Sequence, residues 1–169
     1  MPAKERIKEI EQGFEHQFIE TIQDPIETQK LWFELVKSAR QEILIIFPTS
    51  NELHRQEQTG IIKLLKELSS TGIRIRILTP MDDRIKQRAQ LFKEQNIDIR
   101  YIEQILQTKV TMLVVDRRLS LAAELKNDTK ENYNEATGLA TYSNSESTIS
   151  SYASIFESVW GQVDLYMMN

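Results

Sequence analysis

KVTMLVVDRRLSLAAELKN, Lys109 to Asn127, is the stretch on which the reading of this chain turns. An apolar run climbs from Val110 to Val115, reaches Asp116, passes Arg117-Arg118 and returns from Leu119 to Leu125. Two β-prone runs joined by charged turn residues predict an antiparallel hairpin, with strands over 109–116 and 118–125 and the turn at Arg117-Arg118. Polar residues mark its open end: Lys109 and Thr111 on the first strand, Glu124, Lys126 and Asn127 on the second.

The segments around the hairpin alternate between helix and strand patterns. In residues 4–23, Ile7, Ile10, Phe14, Phe18 and Ile22 recur at helical spacing and predict an N-terminal helix. Asp24-Pro25 breaks it and starts a second helix, about 25–39, carrying Ile26, Leu31, Leu35 and Val36 on one side with Trp32 beside them. EILIIF, 42–47, reads as a strand buried on both faces. Thr49, Ser50 and Asn51 offer N-caps for a helix running to about Ser70, closed by Gly72. IRIRIL, 73–78, alternates strictly and predicts a strand with one solvated face holding Arg74 and Arg76. A polar helix, about 81–95, leads to the strand IDIRYI, and KNDTKENYN after the hairpin reads as a mobile polar loop. A strand over 136–143 and a helix from Ser145 end the chain. The resulting fold class is α/β, a mixed, mostly parallel sheet flanked by helices. The expected division is an N-terminal helix, 1–24, and a domain over 25–169.

In the last helix Ile149, Tyr152, Phe156, Val159, Val163 and Tyr166 follow heptad spacing. Over 149–160 that stripe suits packing on the sheet, and beyond Trp160 it suits an exit into a dimeric coiled coil.

Composition narrows the function. A net charge of -4 argues against a protein driven onto nucleic acid or anionic membrane by charge. Without cysteine there is no disulfide, thiolate nucleophile or Cys-ligated zinc, which fits a cytoplasmic location. No apolar run approaches the ~18 residues of a membrane span. The charged start MPAKERIKEIEQG has no apolar signal-peptide core.

Histidines are few: His16 and His54, neither with a second histidine at helical spacing, so both read as ordinary surface or cap-region residues. No glycine-rich phosphate loop or Gly-x-Ser-x-Gly elbow is present, and no cofactor or metal is implied. Ligands of open α/β sheets bind at the carboxyl ends of strands. By that rule Thr49, Ser50, Arg55, Tyr142 and Ser143, with Lys109, Thr111 and Glu124, form a candidate ligand pocket.

The hairpin resembles the motif of the phospholipase D superfamily, His-x-Lys, four residues, Asp, six residues, Gly-Ser, two residues, Asn. Here the same spacing reads Lys109-x-Thr111, Asp116, Ala123-Glu124, Asn127, so the Asp and Asn are kept and the His, Lys, Gly and Ser are not. Asn134-Glu135 and the closing TISSYASIFESVW, with Phe156 and Trp160, resemble that superfamily further. The segments DPIETQKLWFELVKSARQEILIIFPT, GIIKLLKELSSTGIRIRILTP and GLATYSNSESTISSYASIFESVW resemble a sensor region of archaeal histidine kinases, a degenerate phospholipase D-like domain preceding a coiled coil.

This resemblance implies a phospholipase D-like fold whose motif, Lys109, Thr111, Asp116, Glu124 and Asn127, is vestigial. The family's covalent chemistry requires a histidine nucleophile; a lysine in its place is protonated at neutral pH, and Glu124 repels phosphate. The expectation is therefore a non-catalytic, cytoplasmic signal-input domain of a two-component histidine kinase. It would pair with itself through its terminal helices, act on a downstream kinase core, and take a small-molecule ligand rather than nucleic acid or membrane. The alternatives are an effector-binding domain of an archaeal transcription regulator and, remotely, a phosphodiesterase or nuclease.

Overall fold

Glu42–Ile46 (β2) has no solvated face beyond its first residue: Ile43 and Ile45 enter one core, Leu44 and Ile46 another. The structure, a computed structural model, describes residues 16–102 and 108–167, with side chains as far as Val163. Around β2 the chain runs Ile19–Ile22 (β1), Pro25–Lys37 (α1), β2, Ser50–Thr59 (α2), Ile61–Ser69 (α3), Arg74–Thr79 (β3), Asp83–Glu94 (α4) and Ile97–Tyr101 (β4). It continues Val110–Val115 (β5), Leu119–Leu125 (β6), Tyr133–Ala136 (α5), Thr137–Ser143 (β7) and Glu146–Met167 (α6). The strands form one sheet ordered β1-β7-β6-β5-β2-β3-β4.

The sheet is mixed and flanked by helices, as the sequence implies, but it is not mostly parallel. Only β2–β3 and β3–β4 are parallel; β1–β7, β7–β6, β6–β5 and β5–β2 are antiparallel. Parallel neighbours need a crossover, and only β2–β3 and β3–β4 are neighbours joined through helices longer than the one-turn α5, namely α2–α3 and α4; α1 joins β1 to β2, which lie apart in the sheet. The crossover helices and α1 cover one face, where Trp32, Leu35, Leu53, Ile61, Leu65, Ile85 and Phe92 pack on Ile43, Ile45, Ile75 and Ile77. The other face is covered by α6, whose Ile149, Phe156 and Trp160 meet Leu44, Ile46, Leu78 and Val114.

Asp24 starts α1 as the sequence predicts, its carboxylate accepting the Ile26 N–H at 2.9 Å with Pro25 in the first turn. The predicted N-terminal helix fails over its described end. Ile19–Ile22 is a strand, paired from Ile19↔Ser143 to Ile22↔Ala140, and residues 1–15 lie outside the described residues. Pairing satisfies the edge of β7 and brings Phe18 edge-on to Tyr142 at 4.9 Å, a tertiary gain that helical periodicity cannot register.

The single helix expected to Ser70 is two helices, broken at Gly60. Gly60 has φ 96°, a conformation that glycine adopts without steric cost, and it closes α2 by donating to the Glu57 carbonyl at 3.2 Å. The hairpin corner falls at Asp116-Arg117, one residue before the expected position, and both residues have φ 53°. Asp116 earns that strained corner through its side chain: its carboxylate accepts the N–H groups of Arg40 (2.8 Å), Gln41 (2.8 Å) and Glu42 (2.9 Å), tying the hairpin to the start of β2.

Arg76 is not solvated. It is 4% exposed, because α6 lies over its face of β3, whereas Arg74 at the strand end stays exposed. The Arg76 guanidinium pairs with Glu157 and lies 5.1 Å from the Phe156 ring and 5.3 Å from the Trp160 ring. Arg100 of β4 lies 3.9 Å from the Trp160 ring centre and donates to the Trp160 carbonyl at 2.8 Å. Arg117 joins Glu42 (2.6 Å) to Glu157 (3.1 Å). The heptad-spaced stripe of α6 therefore faces its own sheet, with Tyr152, Val159 and Val163 half-buried against the second core. The side chain of Tyr166 lies outside those described.

Replacing Asp116 with Ala leaves three N–H groups without their carboxylate, and the expected loss is roughly 2–4 kcal/mol in urea denaturation. A second expectation concerns pH. The Arg76 hydrogen bond, supported by Arg117, outweighs burial and holds the Glu157 carboxyl below its ordinary value. The native state then binds fewer protons than the unfolded state, so this contribution is present above about pH 4.5, the ordinary glutamate value, and is lost as pH falls through the depressed one. Glu157→Gln should lower stability at neutral pH and flatten the acid limb of a stability-against-pH curve.

Candidate functional site

The strand registers sort the predicted site residues into two groups at opposite ends of the sheet. Ile46↔Met112 and Val110↔Glu124 place Lys109, Glu124 and the carboxyl end of β2 at one end. Ile43↔Val115 and Ser120↔Ser143 place Asp116, Tyr142 and Ser143 at the other. Tyr142 and Ser143 therefore do not join the predicted pocket. Tyr142 is a core residue, and the Ser143 hydroxyl donates to the Phe18 carbonyl at 2.9 Å, fastening β1. β7 does end on them, as the carboxyl-end rule asks, but it runs antiparallel to its neighbours and so ends away from Lys109.

Thr111 is buried beside Ala123 in the hairpin, so its hydroxyl does not line an open site. Lys109 and Glu124 are exposed at the open end of the hairpin. Asn127 shapes the loop that follows: its side-chain carbonyl accepts from the Thr129 N–H (3.0 Å) and hydroxyl (2.6 Å).

At the same end a cleft of about 310 Å³ opens between α2, the start of α4 and the loop after Asn127, lined by Asn51, His54, Arg55, Gln58, Arg84 and residues 128–131. Arg55, 3% exposed, holds this loop down. Its guanidinium donates to the Glu52 carboxylate (2.6 Å), the Asp128 carboxylate (2.8 Å), the Asp128 carbonyl (2.6 Å) and the Lys130 carbonyl (2.8 Å). Asp128 also accepts from the Thr49 hydroxyl (2.9 Å) and the Asn51 amide (3.1 Å), while Thr49 caps α2 by accepting the Glu52 N–H at 3.2 Å. Ser50 opens α2 behind this cap. The loop predicted to be mobile is thus clamped by a fork of charge-assisted hydrogen bonds, and Arg55 is occupied by structure.

Electrostatics beneath the cleft follow from burial. Desolvation pushes the Glu52 carboxyl up despite the opposing pull of Arg55. Burial, with the nearby Glu52 charge, also pushes the Tyr133 hydroxyl up. At the α4 cap burial opposes the Asp82 charge, but the Ile85 N–H, His54 and Arg84 together hold its carboxyl well below the ordinary range. Arg84, the most exposed cation of the wall, donates to Asn51 at 3.1 Å and Asp82 at 3.0 Å.

No Phe, Tyr, Trp or large aliphatic side chain lines the cleft, so it suits a hydrophilic molecule held by hydrogen bonds and charge. Among the described residues no cluster of three or more His, Asp or Glu is placed to hold a metal ion. Sequence reading missed Gln58, Arg84, Asp128 and Lys130 and treated His54 as ordinary. Asn51 and Asp128 meet across 77 residues, a separation that leaves no local pattern, and the polar run KNDTKENYN was the only hint.

No family model matches the chain, and no curated protein does. Solved structures do. NucT from Helicobacter pylori is similar with a TM-score of 0.66 at 14% identity, over 86% of this chain and 97% of that one. Nuc from Salmonella typhimurium, a phospholipase D family member, is similar with a TM-score of 0.65 at 15% identity, over 87% of this chain and 96% of that one. TrmBL2, an archaeal chromatin protein with a novel mode of DNA binding, gives 0.59 at 18% identity, over 95% of this chain and 60% of that one. The fold is phospholipase D-like.

The clamp makes a direct prediction. Arg55→Met leaves Glu52 and Asp128 without their cation and should cost roughly 3–5 kcal/mol, as broken buried pairs do. Arg55→Lys should recover only part of this, since an ammonium cannot span four acceptors. In hydrogen exchange both variants should expose the amides of residues 128–131; unchanged protection would show that Arg55 does not hold the loop.

Proposed function

We infer that this chain is a non-catalytic, cytoplasmic signal-input domain of an archaeal two-component histidine kinase, that it binds a small hydrophilic ligand, and that it works as a homodimer. The observation that carries the reading is the fate of the motif positions in a phospholipase D-like fold. Lys109 stands where the nucleophilic histidine belongs, Thr111 is buried, and the Asp116 carboxylate is taken up by three main-chain N–H groups. Covalent phosphodiester chemistry needs an activated nucleophile, and that position has none. The cleft beside the motif offers a ligand site in place of a catalytic one.

The route from ligand to output runs through loop and helix. A molecule bound among Asn51, Arg84 and Asp128 bears on α2, α4 and the clamped loop together. The exit helix α6, fastened to β3 and β4 through Arg76 and Arg100, carries a change in the sheet to a kinase core. Pairing between copies would involve the terminal helices. Among the described residues no helix is long and apolar enough to cross a membrane.

A second reading has its own support. The likeness to TrmBL2 favours an effector domain of a transcription regulator, in which DNA contact falls to another part of the assembly, in keeping with the net charge of -4. The readings separate on the partner that the tagged chain captures from its host, a kinase core or a DNA-binding protein.

The ligand is tested by a thermal-shift screen against sugars, nucleotides, phosphate esters and metabolite anions. A ligand at a hundred times its Kd adds about 2.7 kcal/mol, enough to raise Tm by several degrees. The expected shift disappears in Asn51→Ala and Arg84→Ala and persists in Lys109→Ala. A screen without any shift would overturn ligand sensing.

A further inference from the structure

His54 projects from α2 into the wall of the cleft, its side chain 12% exposed. Its Nε2 lies 3.0 Å from an Asp82 carboxylate oxygen, and its Nδ1 lies 3.0 Å from an Arg88 guanidinium nitrogen. Arginine can only donate, so Nδ1 is the acceptor and Nε2 carries the proton that it donates to Asp82. This arrangement requires a neutral ring.

A second observation lies one turn along α2. One carboxylate oxygen of Glu57 pairs with Arg88. The other is buried, has no hydrogen-bond partner, and sits 3.8 Å from the same His54 Nδ1. A buried acceptor without a donor carries a desolvation cost. A proton on Nδ1 would cancel the acceptor that Arg88 uses and supply the donor that Glu57 lacks.

We propose that His54 is a proton-operated partner switch on the cleft wall, bonded through Nδ1 to Arg88 of α4 when neutral and to Glu57 of its own helix when protonated. The groups that face it set the balance. Asp82 and Glu57 favour the imidazolium and Arg84 and Arg88 of α4 oppose it, while in the rest of the cleft lining Arg55 and Lys130 balance Asp128 and Glu131. In the protonated state Arg88 keeps its Glu57 contact but loses the ring, so one tie between α2 and α4 is released at a residue of the cleft wall. The switch stands on side-chain geometry alone and does not depend on the kinase-input reading.

Imidazole nitrogen NMR on the full chain, between pH 8 and pH 5 where histidine changes charge, tests it. At pH 8 His54 should be the Nε2–H tautomer. On acidification a slowly exchanging Nδ1–H signal should appear, and the Arg88 guanidinium and α4 amide resonances should move with the same midpoint. In Glu57→Met the protected Nδ1–H signal should be absent at low pH, while the Nε2–H tautomer at pH 8 persists. An Nδ1–H tautomer at pH 8 overturns the proposal. So does an Arg88 that stays still through the His54 titration, or a protected Nδ1–H signal that survives in Glu57→Met.

Discussion

Three consecutive N–H groups, those of Arg40, Gln41 and Glu42, converge on the Asp116 carboxylate, and the rest of the sheet hangs from that junction. It lies where the two halves of the fold meet. On one side β2 begins the parallel part, β2-β3-β4; on the other β5 begins the antiparallel part, β5-β6-β7-β1. A carboxylate can receive several donors at once, and charge-assisted bonds are the stronger kind. Fixing the first residue of β2 against the hairpin corner also sets the β2–β5 register. Because side chains alternate, a slip of one residue would turn Ile43 and Ile45 away from the helices of the first core. Asp116, like Asn127 in the loop after the hairpin, is thus a motif position that serves architecture in this structure.

The second face shows how one helix can close a sheet. A single helix offers only a narrow apolar stripe, and α6 crosses strands that carry arginines as well as aliphatic residues. The fold accepts Arg76 and Arg100 under α6 by giving them carboxylate, ring and carbonyl partners. Cation–π contact supplements the ion pairs where aliphatic packing runs out. The C-terminal half of α6 is therefore held by polar and aromatic contacts, and its start by ordinary core packing at Ile149 and Ala153.

The cleft repeats the same economy. One buried guanidinium turns a polar nine-residue stretch into a fixed wall by binding two carbonyls and a carboxylate of the loop, with Glu52 balancing its charge from behind. Such an arrangement stabilises only as a unit, because removing one partner leaves the others buried and uncompensated.

Much was legible in the residues alone. EILIIF announced a doubly buried strand because apolar side chains on both faces can only mean cover on both. Asp24-Pro25 announced a helix start through local capping chemistry, and the hairpin announced itself through two apolar runs around a charged corner. These readings rest on interactions within a few residues, where the chain carries its own instructions. The tertiary structure alone decided that Ile19–Ile22 joins a strand 120 or so residues away, since edge pairing outweighs helical periodicity. It alone decided that Arg76 is buried, because the helix that covers it arrives last in the chain. It also separated Tyr142 and Ser143 from Lys109, since strand direction depends on connections and not on composition. The contacts of Arg55 and Asn51 with Asp128 belong to the same class. They depend on which distant backbones the fold brings together, and no spacing along the chain encodes that.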